Sequence, residues 1–484
     1  MTRKNHRWLR ALGIISLFVV VFILIFFGIQ FLTKTGVFKI PGVVNYDDSL
    51  NADELGALES IFTEEVVLDK DVLISARTEN ILPELGNNEF LYEVMVPVVD
   101  FYETSTDVSD YEESEVEYIP VSELDFTQKL LTIDGNYYLD SFESGARFRI
   151  ITFESEKYTE EIEPLVRETF ERTFPQADTV LTLAQTGVTA LSRGMNAKLA
   201  NVGDVNYFAE NIGGFLAGFD LTHTSNEASF TNYATTANIC SDERFFETLL
   251  AIGLDIVELT GNHNQDCGDE AASATIDLYR ENDIQIVGGG KTAEEAAVPL
   301  EIQEEGNHLT FLAYNLSTGG ATNDNTPGAN QYDEERAAAE ISAAKARGDF
   351  VLVDVQYYEC SAYDYTSENT ACDYANSAAG DQIGFFRHLI DLGADMVVGT
   401  AAHQPQTFEL YEDGVIYYGL GNLFFDQIWW PGTTRSLILG HYFYQGKLLQ
   451  TKISPTIYDD AMQTTLMDEI EAAQFLDRLI EARP

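Results

Sequence analysis

The stretch from Leu254 to Gly268, LDIVELTGNHNQDCG, constrains this chain more than any other. The run LDIVEL has the length and composition of a buried strand, and it stops abruptly at Gly261, Asn262 and His263. Glycine lets the backbone turn. An amide and an imidazole then project beyond the strand's carboxyl end, where open α/β sheets place their ligands. Asn offers a neutral oxygen, and His can ligate, donate a proton or bind an anionic oxygen. Alone, the tripeptide also reads as a loop with two polar residues, so the rest of the chain decides.

From about residue 196 the same design recurs. Apolar strands are expected at 197–203, 254–259, 284–287, 309–314, 350–356, 394–399 and 414–418, with helices at 242–252, 269–282, 333–347 and 380–392. This alternation predicts an α/β sandwich. Six polar clusters follow apolar segments. Asp204 and Asn206 come first, two apart and so on one side of an extended chain. Then come Ser225-Asn226-Glu227, with His223 close enough to join, and Gly261-Asn262-His263 with Asp266. Gln356-Tyr357-Tyr358-Glu359, Gly399 to His403, and Gly419 to Asn422 complete the set. Carboxylate, amide and imidazole together suit a hard or borderline divalent ion. Two such ions would clamp both ends of an in-line displacement at phosphorus. His308, His388 and His441 read as surface or helix histidines. Trp429-Trp430 reads as pocket lining or as a hydrophobic cap. Gly288-Gly289-Gly290-Lys291 lacks the P-loop pattern and reads as a strand-to-helix turn.

Upstream, Arg3, Lys4, Arg7 and Arg10 (a cytoplasmic tail, 1–10) precede an uninterrupted apolar segment, 11–32, long enough to span a bilayer as a helix. The positive flank predicts a cytoplasmic amino terminus, with the bulk of the chain outside the membrane. A cleaved signal peptide would have a shorter core ending in small residues. The long, bulky core LFVVVFILIFF instead predicts an uncleaved signal anchor. Residues 33–60 read as a juxtamembrane connector and 61–195 as a smaller α/β domain without a chemical motif. Residues 196–460 read as the sandwich, and 461–484 as a C-terminal helix packed on it. Within the smaller domain, strands are expected at 66–76, 90–103 and 148–156, and an amphipathic helix at 159–175. The four cysteines all follow the apolar segment, and an even count in an oxidising compartment suggests the disulfides Cys240–Cys267 and Cys360–Cys372. The second would close a short loop, worth roughly 3 kcal/mol in the chain-entropy model. Free thiols stay open as an alternative, and the lack of C-x-x-C argues against a cysteine zinc site. With 79 acidic and 28 basic residues the formal charge is −51, which repels nucleic acid and anionic lipid. It is read as solubility at high salt rather than as a specific cationic partner.

The ordered motifs G-D, S-N-E, G-L-D-I-V with N-H, G-A-D-M-V-V-G-T-x-x-H and G-L-G-N-x-x-F-D resemble the CapA/PgsA family of capsule and poly-γ-glutamate biosynthesis, over about 200–430. The resemblance implies a membrane-anchored protein whose fold is similar to the calcineurin-like metallophosphoesterases, an α/β/β/α sandwich. It implies Asp204 as a metal ligand, with Asn206 where phosphoesterases carry a ligand His. It puts Asn226 and Glu227 at a bridging position and Asn262 as a further ligand. It implies His263 facing substrate as acid or anion stabiliser, and His403 as the last His of a G-T-H-x-H pattern. His263, Glu227 and His403 are the implied catalytic groups, and His223, Asp266, Gln356, Glu359 and Asn422 are further candidates. Two imidazoles of the family pattern are missing: Gln356-Tyr357-Tyr358-Glu359 stands for H-W-G-x-E, and Ala401 replaces the first His of G-T-H-x-H. The remaining oxygen ligands favour Mg²⁺, Mn²⁺ or Ca²⁺ over Zn²⁺, with one ion or none. Three functions are then expected. One is an accessory protein of envelope-polymer synthesis or export, working with synthase subunits and meeting an anionic polymer through bridging cations. The second is a metal-dependent hydrolase of an envelope polymer or phosphoester. The third is a surface binding module using 61–190. No nucleic-acid partner is expected.

Overall fold

The computed structural model describes residues 44–46, 50–61, 72–155, 159–170, 172–317, 319–323, 325–357, 381–429 and 431–484. The expected tail, membrane anchor and part of the connector lie outside these residues, as do Tyr358, Glu359, Cys360, Cys372 and Trp430. Among the described residues, no helix is long and apolar enough to cross a membrane.

The chain divides into two compact units. The first takes residues up to Val96, Pro120–Ser122 and Glu143–Phe174; the second takes Pro97–Ile119, Glu123–Phe142 and Pro175–Pro484. The second unit's long segment therefore starts earlier than the boundary at 196 read from the sequence.

In the first unit β1 (Val44–Tyr46), β2 (Val72–Glu79), β3 (Glu89–Asp100, here as far as Val96) and β4 (Arg147–Ser155) lie in the order β1-β2-β4-β3. The helices α1 (Ala52–Ile61) and α2 (Thr159–Phe170) accompany them. Leu58, Ile74, Phe90, Ile151, Val166 and Phe170 share one core. Glu54 is fully buried beside that core, and its two carboxylate oxygens accept from Nε and Nη2 of Arg149, both at 2.7 Å. A buried charge is tolerated in such a bidentate pair.

The second unit holds β5 (Leu181–Thr189), α3 (Gly194–Val202), β6 (Leu221–Asn226), α4 (Phe246–Ala251), β7 (Ile256–Glu258), α5 (Asp269–Glu281) and β8 (Gln285–Val287). Then follow β9 (Leu300–Glu304), β10 (Asn307–Asn315), α6 (Glu334–Arg347), β11 (Phe350–Gln356), α7 (Gln382–Asp391), β12 (Met396–Gly399), β13 (Phe408–Tyr411) and β14 (Gly414–Tyr417). Last come β15 (Asn422–Phe424), β16 (Arg435–Tyr444), β17 (Lys447–Ile457), β18 (Thr465–Leu466) and α8 (Glu469–Glu481). Among the described residues these strands form two sheets. One runs β8-β7-β6-β5-β16-β17-β18, with β15 beside β5, and the other runs β9-β10-β11-β12-β14-β13. The strands β5, β6, β7 and β8 are mutually parallel, and so are β10, β11, β12 and β14.

Leu183, Leu221 and Ile256 of the first sheet meet Phe311, Leu352, Met396 and Val415 of the second in one core. On the first sheet's other face Val257 and Ile438 pack with Leu199 of α3, Leu249 of α4 and Ile276 of α5. On the second sheet's other face Val353 and Val397 pack with Ile341 of α6 and Phe386 of α7. The layers are thus helix, sheet, sheet, helix. The C-terminal helix α8 packs on the sandwich through Phe475 and Leu479, as expected. One expected strand is wrong: 197–203 lies almost wholly in helix α3, and the strand of that position is β5.

The inter-sheet core is not wholly apolar. His223, Gln185, Asp354, Glu258 and His441 are all fully buried in it. His223 Nε2 lies 3.1 Å from Asp354 Oδ2, and Gln185 Nε2 donates to Asp354 Oδ1 at 2.6 Å. His441 pairs with Thr451 Oγ1 at 2.9 Å through Nδ1, so it is a core histidine and not the surface or helix residue expected. Burial, with His223 beside it, pushes its imidazole down to about 3, which keeps it neutral near pH 7. Burial, then the charge of Asp354, pushes the Glu258 carboxyl up to about 7 from an ordinary 4.5. Its folded value is raised, so the stability it contributes is present below pH 4.5 and lost as pH rises through about 7. The difference is worth roughly 3 kcal/mol. Glu258→Gln stays neutral, so the fall in Tm from about pH 5.5 to about pH 8 should be flatter in that variant than in the wild type. Equal slopes would contradict this.

Candidate functional site

The site lies at the carboxyl ends of the parallel strands. Where β5 and β6 pair, Thr189 stands opposite Asn226, and the Glu227 N–H donates to the Thr189 carbonyl at 2.9 Å. Strand β7 leads into Gly261. A Cβ there would sit 2.8 Å from Glu227 Cα, so only glycine lets the two turns touch. The turn is held from behind. Asn315 Nδ2 donates to the Thr260 carbonyl and Asn264 Nδ2 to the Leu259 carbonyl, each at 2.7 Å. Glu258 Oε1 accepts from both the amide and the hydroxyl of Thr260.

Strand β11 ends at Gln356, which is fully buried. Its Nε2 donates to Glu227 Oε1 at 3.0 Å and to Asn262 Oδ1 at 3.3 Å, while its Oε1 accepts from Thr400 Oγ1 at 3.4 Å. The carboxylate of Glu227 can only accept, so the amide's NH₂ must face it; the network sets this orientation. After β12, His403 places Nδ1 2.9 Å from Asn422 Oδ1. The Asn422 NH₂ donates to the Thr433 carbonyl at 3.0 Å, which turns its oxygen toward His403 and assigns the proton to Nδ1. His263 is oriented in the same manner: Nδ1 lies 2.9 Å from Asp266 Oδ2. In each ring Nδ1 is the nitrogen held by that neighbour.

Strands therefore bring Glu227, Asn262, Gln356 and Thr400 into one connected group, with His263 and His403 each oriented by a polar neighbour. Other expected site residues lie elsewhere. Asp204 and Asn206 are exposed beyond α3, where the Asp204 carboxylate caps a short 3₁₀ turn by accepting from the Asn206 amide at 3.0 Å. They are not on an extended chain. Asn226 is buried, but its Nδ2 donates to Tyr279 Oη at 2.8 Å and to the Ala228 carbonyl at 3.0 Å, so it braces helix α5. His223 belongs to the inter-sheet network. Cys240 and Cys267 are joined, with an S–S distance of 2.02 Å and Cα atoms 5.8 Å apart, which ties the loop after β6 to the turn after His263. Trp429 is 58 % exposed and caps nothing.

One neighbouring group was not anticipated from sequence. Arg193 pairs with Asp426 (Nη2–Oδ1 2.5 Å) and lies over the Phe425 ring at 4.6 Å, the same ring that meets His403 at 5.2 Å. Its backbone is strained, with φ +47° and ψ −106°. A lone Arg-Gly after a polar stretch carries no periodic signal.

Among the described residues, the expected donors are not assembled as a two-metal centre. Among the described residues, no group of three or more His, Cys, Asp or Glu is placed to hold a metal ion. The carboxylate of Asp204 is on the surface, and the amide of Asn226 is turned to Tyr279.

With that geometry the comparisons can be placed. The family model for the bacterial capsule synthesis protein PGA_cap matches residues 182–427, half of the chain. The chain belongs to this family. The match starts on β5 and ends at Gln427, so it spans the elements that deliver every residue of the site. The chain is 26 % identical over 204 residues to a capsule biosynthesis protein CapA of Bacillus anthracis, covering 40 % of this chain and 46 % of that one. It is 27 % identical over 199 residues to a PGA biosynthesis protein CapA of Bacillus subtilis, covering 40 % and 49 %. It is 25 % identical over 230 residues to a probable polyglutamine synthesis accessory protein of Mycobacterium tuberculosis, covering 42 % and 57 %. This chain thus spans about half the length of the curated relatives it matches.

The two displaced candidates separate by urea denaturation. Asp204→Ala loses only a cap and should cost about 1 kcal/mol. Asn226→Ala strands Tyr279 and a buried carbonyl and should cost about 2–3 kcal/mol. Equal costs would contradict the placement.

Proposed function

We propose that this protein is an envelope-anchored accessory factor of capsule or poly-γ-glutamate synthesis, which binds the polymer, or a synthase subunit carrying it, at the strand-end site. The observation that carries this reading is the coincidence of the family match with the elements that build the site. The names of the Bacillus and Mycobacterium relatives point the same way. The four layers are consistent with a metallophosphoesterase-like sandwich, and the apolar segment 11–32 would hold the site outside the membrane. Neutral carboxamides and oriented imidazoles suit an amide-bearing polymer.

A net charge of −51 opposes approach of a polyanion. Association therefore needs cations that bridge or screen the two acidic surfaces. The full chain in detergent, titrated calorimetrically with poly-γ-glutamate oligomers, should bind more tightly as Mg²⁺ is added. Asn262→Ala and His403→Ala should each weaken binding about tenfold, the loss expected for one hydrogen bond to a charged group. Binding unchanged by EDTA, or unchanged in both variants, would overturn the reading.

Hydrolysis is a second reading, supported by the two oriented imidazoles. Turnover of a phosphodiester probe that disappears in His263→Ala would establish it, and no turnover in the wild type would leave the accessory role.

A further inference from the structure

The two-metal site expected from the resemblance and the donors among the described residues disagree, and Gln356 supplies a physical reason. Its Nε2 lies 3.0 Å from Glu227 Oε1 and 3.3 Å from Asn262 Oδ1. These are two oxygens of the site that a divalent ion would use. The amide is fixed at both ends, because its Oε1 accepts from Thr400 Oγ1 at 3.4 Å and its backbone carbonyl accepts from the Leu316 amide at 2.9 Å. Gln356 and Glu227 are both fully buried.

We propose that the Gln356 carboxamide NH₂ takes the place of a cation between Glu227 Oε1 and Asn262 Oδ1, so that these two oxygens are bridged without a divalent metal. An ion bridging these two oxygens would have to displace a buried amide already bonded to both. It would also need further donors, and among the described residues no group of three or more His, Cys, Asp or Glu is placed to hold a metal ion. A neutral donor bonds Oε1 of the buried carboxylate without bringing a second full charge out of water, which is the costly part of burying an ion pair. The amide also orients Asn262, since the oxygen of that side chain must face Nε2 and its own NH₂ is left to face the other way.

The inference concerns ions held by the protein alone. The cations required for polymer binding act between two acidic surfaces, so the two proposals fail separately.

The test is metal content of the full chain without polymer. The protein is equilibrated with Mn²⁺ or Zn²⁺, desalted and analysed by mass spectrometry of the metal. The wild type should retain no stoichiometric ion. Gln356→His replaces the donor by an imidazole ligand, and Gln356→Glu replaces it by a carboxylate beside Glu227. At least one folded variant, judged by an unchanged circular dichroism spectrum, should then retain about one ion per chain. Stoichiometric retention by the wild type, lost in Glu227→Gln, would overturn the proposal. So would folded Gln356→His and Gln356→Glu proteins that both remain metal-free, because the amide would then not be what excludes the ion.

Discussion

The site depends on one constraint: strands β6, β7, β11 and β12 are buried on both faces, so their polar side chains find solvent only past their carboxyl ends. The strands β7, β11 and β12 lie in largely apolar runs for that reason, whereas β6 (LTHTSN) carries polar residues inside the core. Each run stops where the chain must turn, and the turn carries an amide, a carboxylate or an imidazole to a common edge. Gly261 shows how tight that edge is. It touches Glu227, and any side chain there would force the two turns apart.

The same constraint explains what could be read from the residues alone. The runs before Asn262, Gln356 and His403 are apolar and end in polar clusters, so their strands and site positions were legible. Strand β5 was not. Its sequence, LTLAQTGVT, is half polar, because Gln185 serves the buried His223–Asp354 network and Thr186 and Thr189 bond to Thr224 across the sheet. A strand whose polar residues are satisfied inside a core loses its apolar signature. With β5 unseen, the nearest Gly-Asp pair, Gly203-Asp204, looked like the first site motif and proved to be a surface cap.

Side-chain direction was the second thing hidden. Asn226 and Glu227 are adjacent in sequence, yet one braces Tyr279 and the other meets Gln356. Spacing cannot show which of two neighbours points into a site when the strand is ending and its alternation relaxes. His441 was hidden for a related reason. A single histidine in an apolar strand looks the same whether it is buried or at an edge, and only the partners Thr451 and Gln185 show that it is buried.

What remains at the site is a pair of carboxamides at one buried carboxylate, with two oriented imidazoles on the neighbouring turns. The proposal that a polymer binds at this edge rests on that composition, and Gln356 is the residue on which the account turns. Anomalous diffraction from crystals soaked in Mn²⁺ is the most direct measurement of this. The account predicts no manganese peak between Glu227 Oε1 and Asn262 Oδ1, with the Gln356 amide still in place. A peak at that position, with Gln356 swung away, would contradict it.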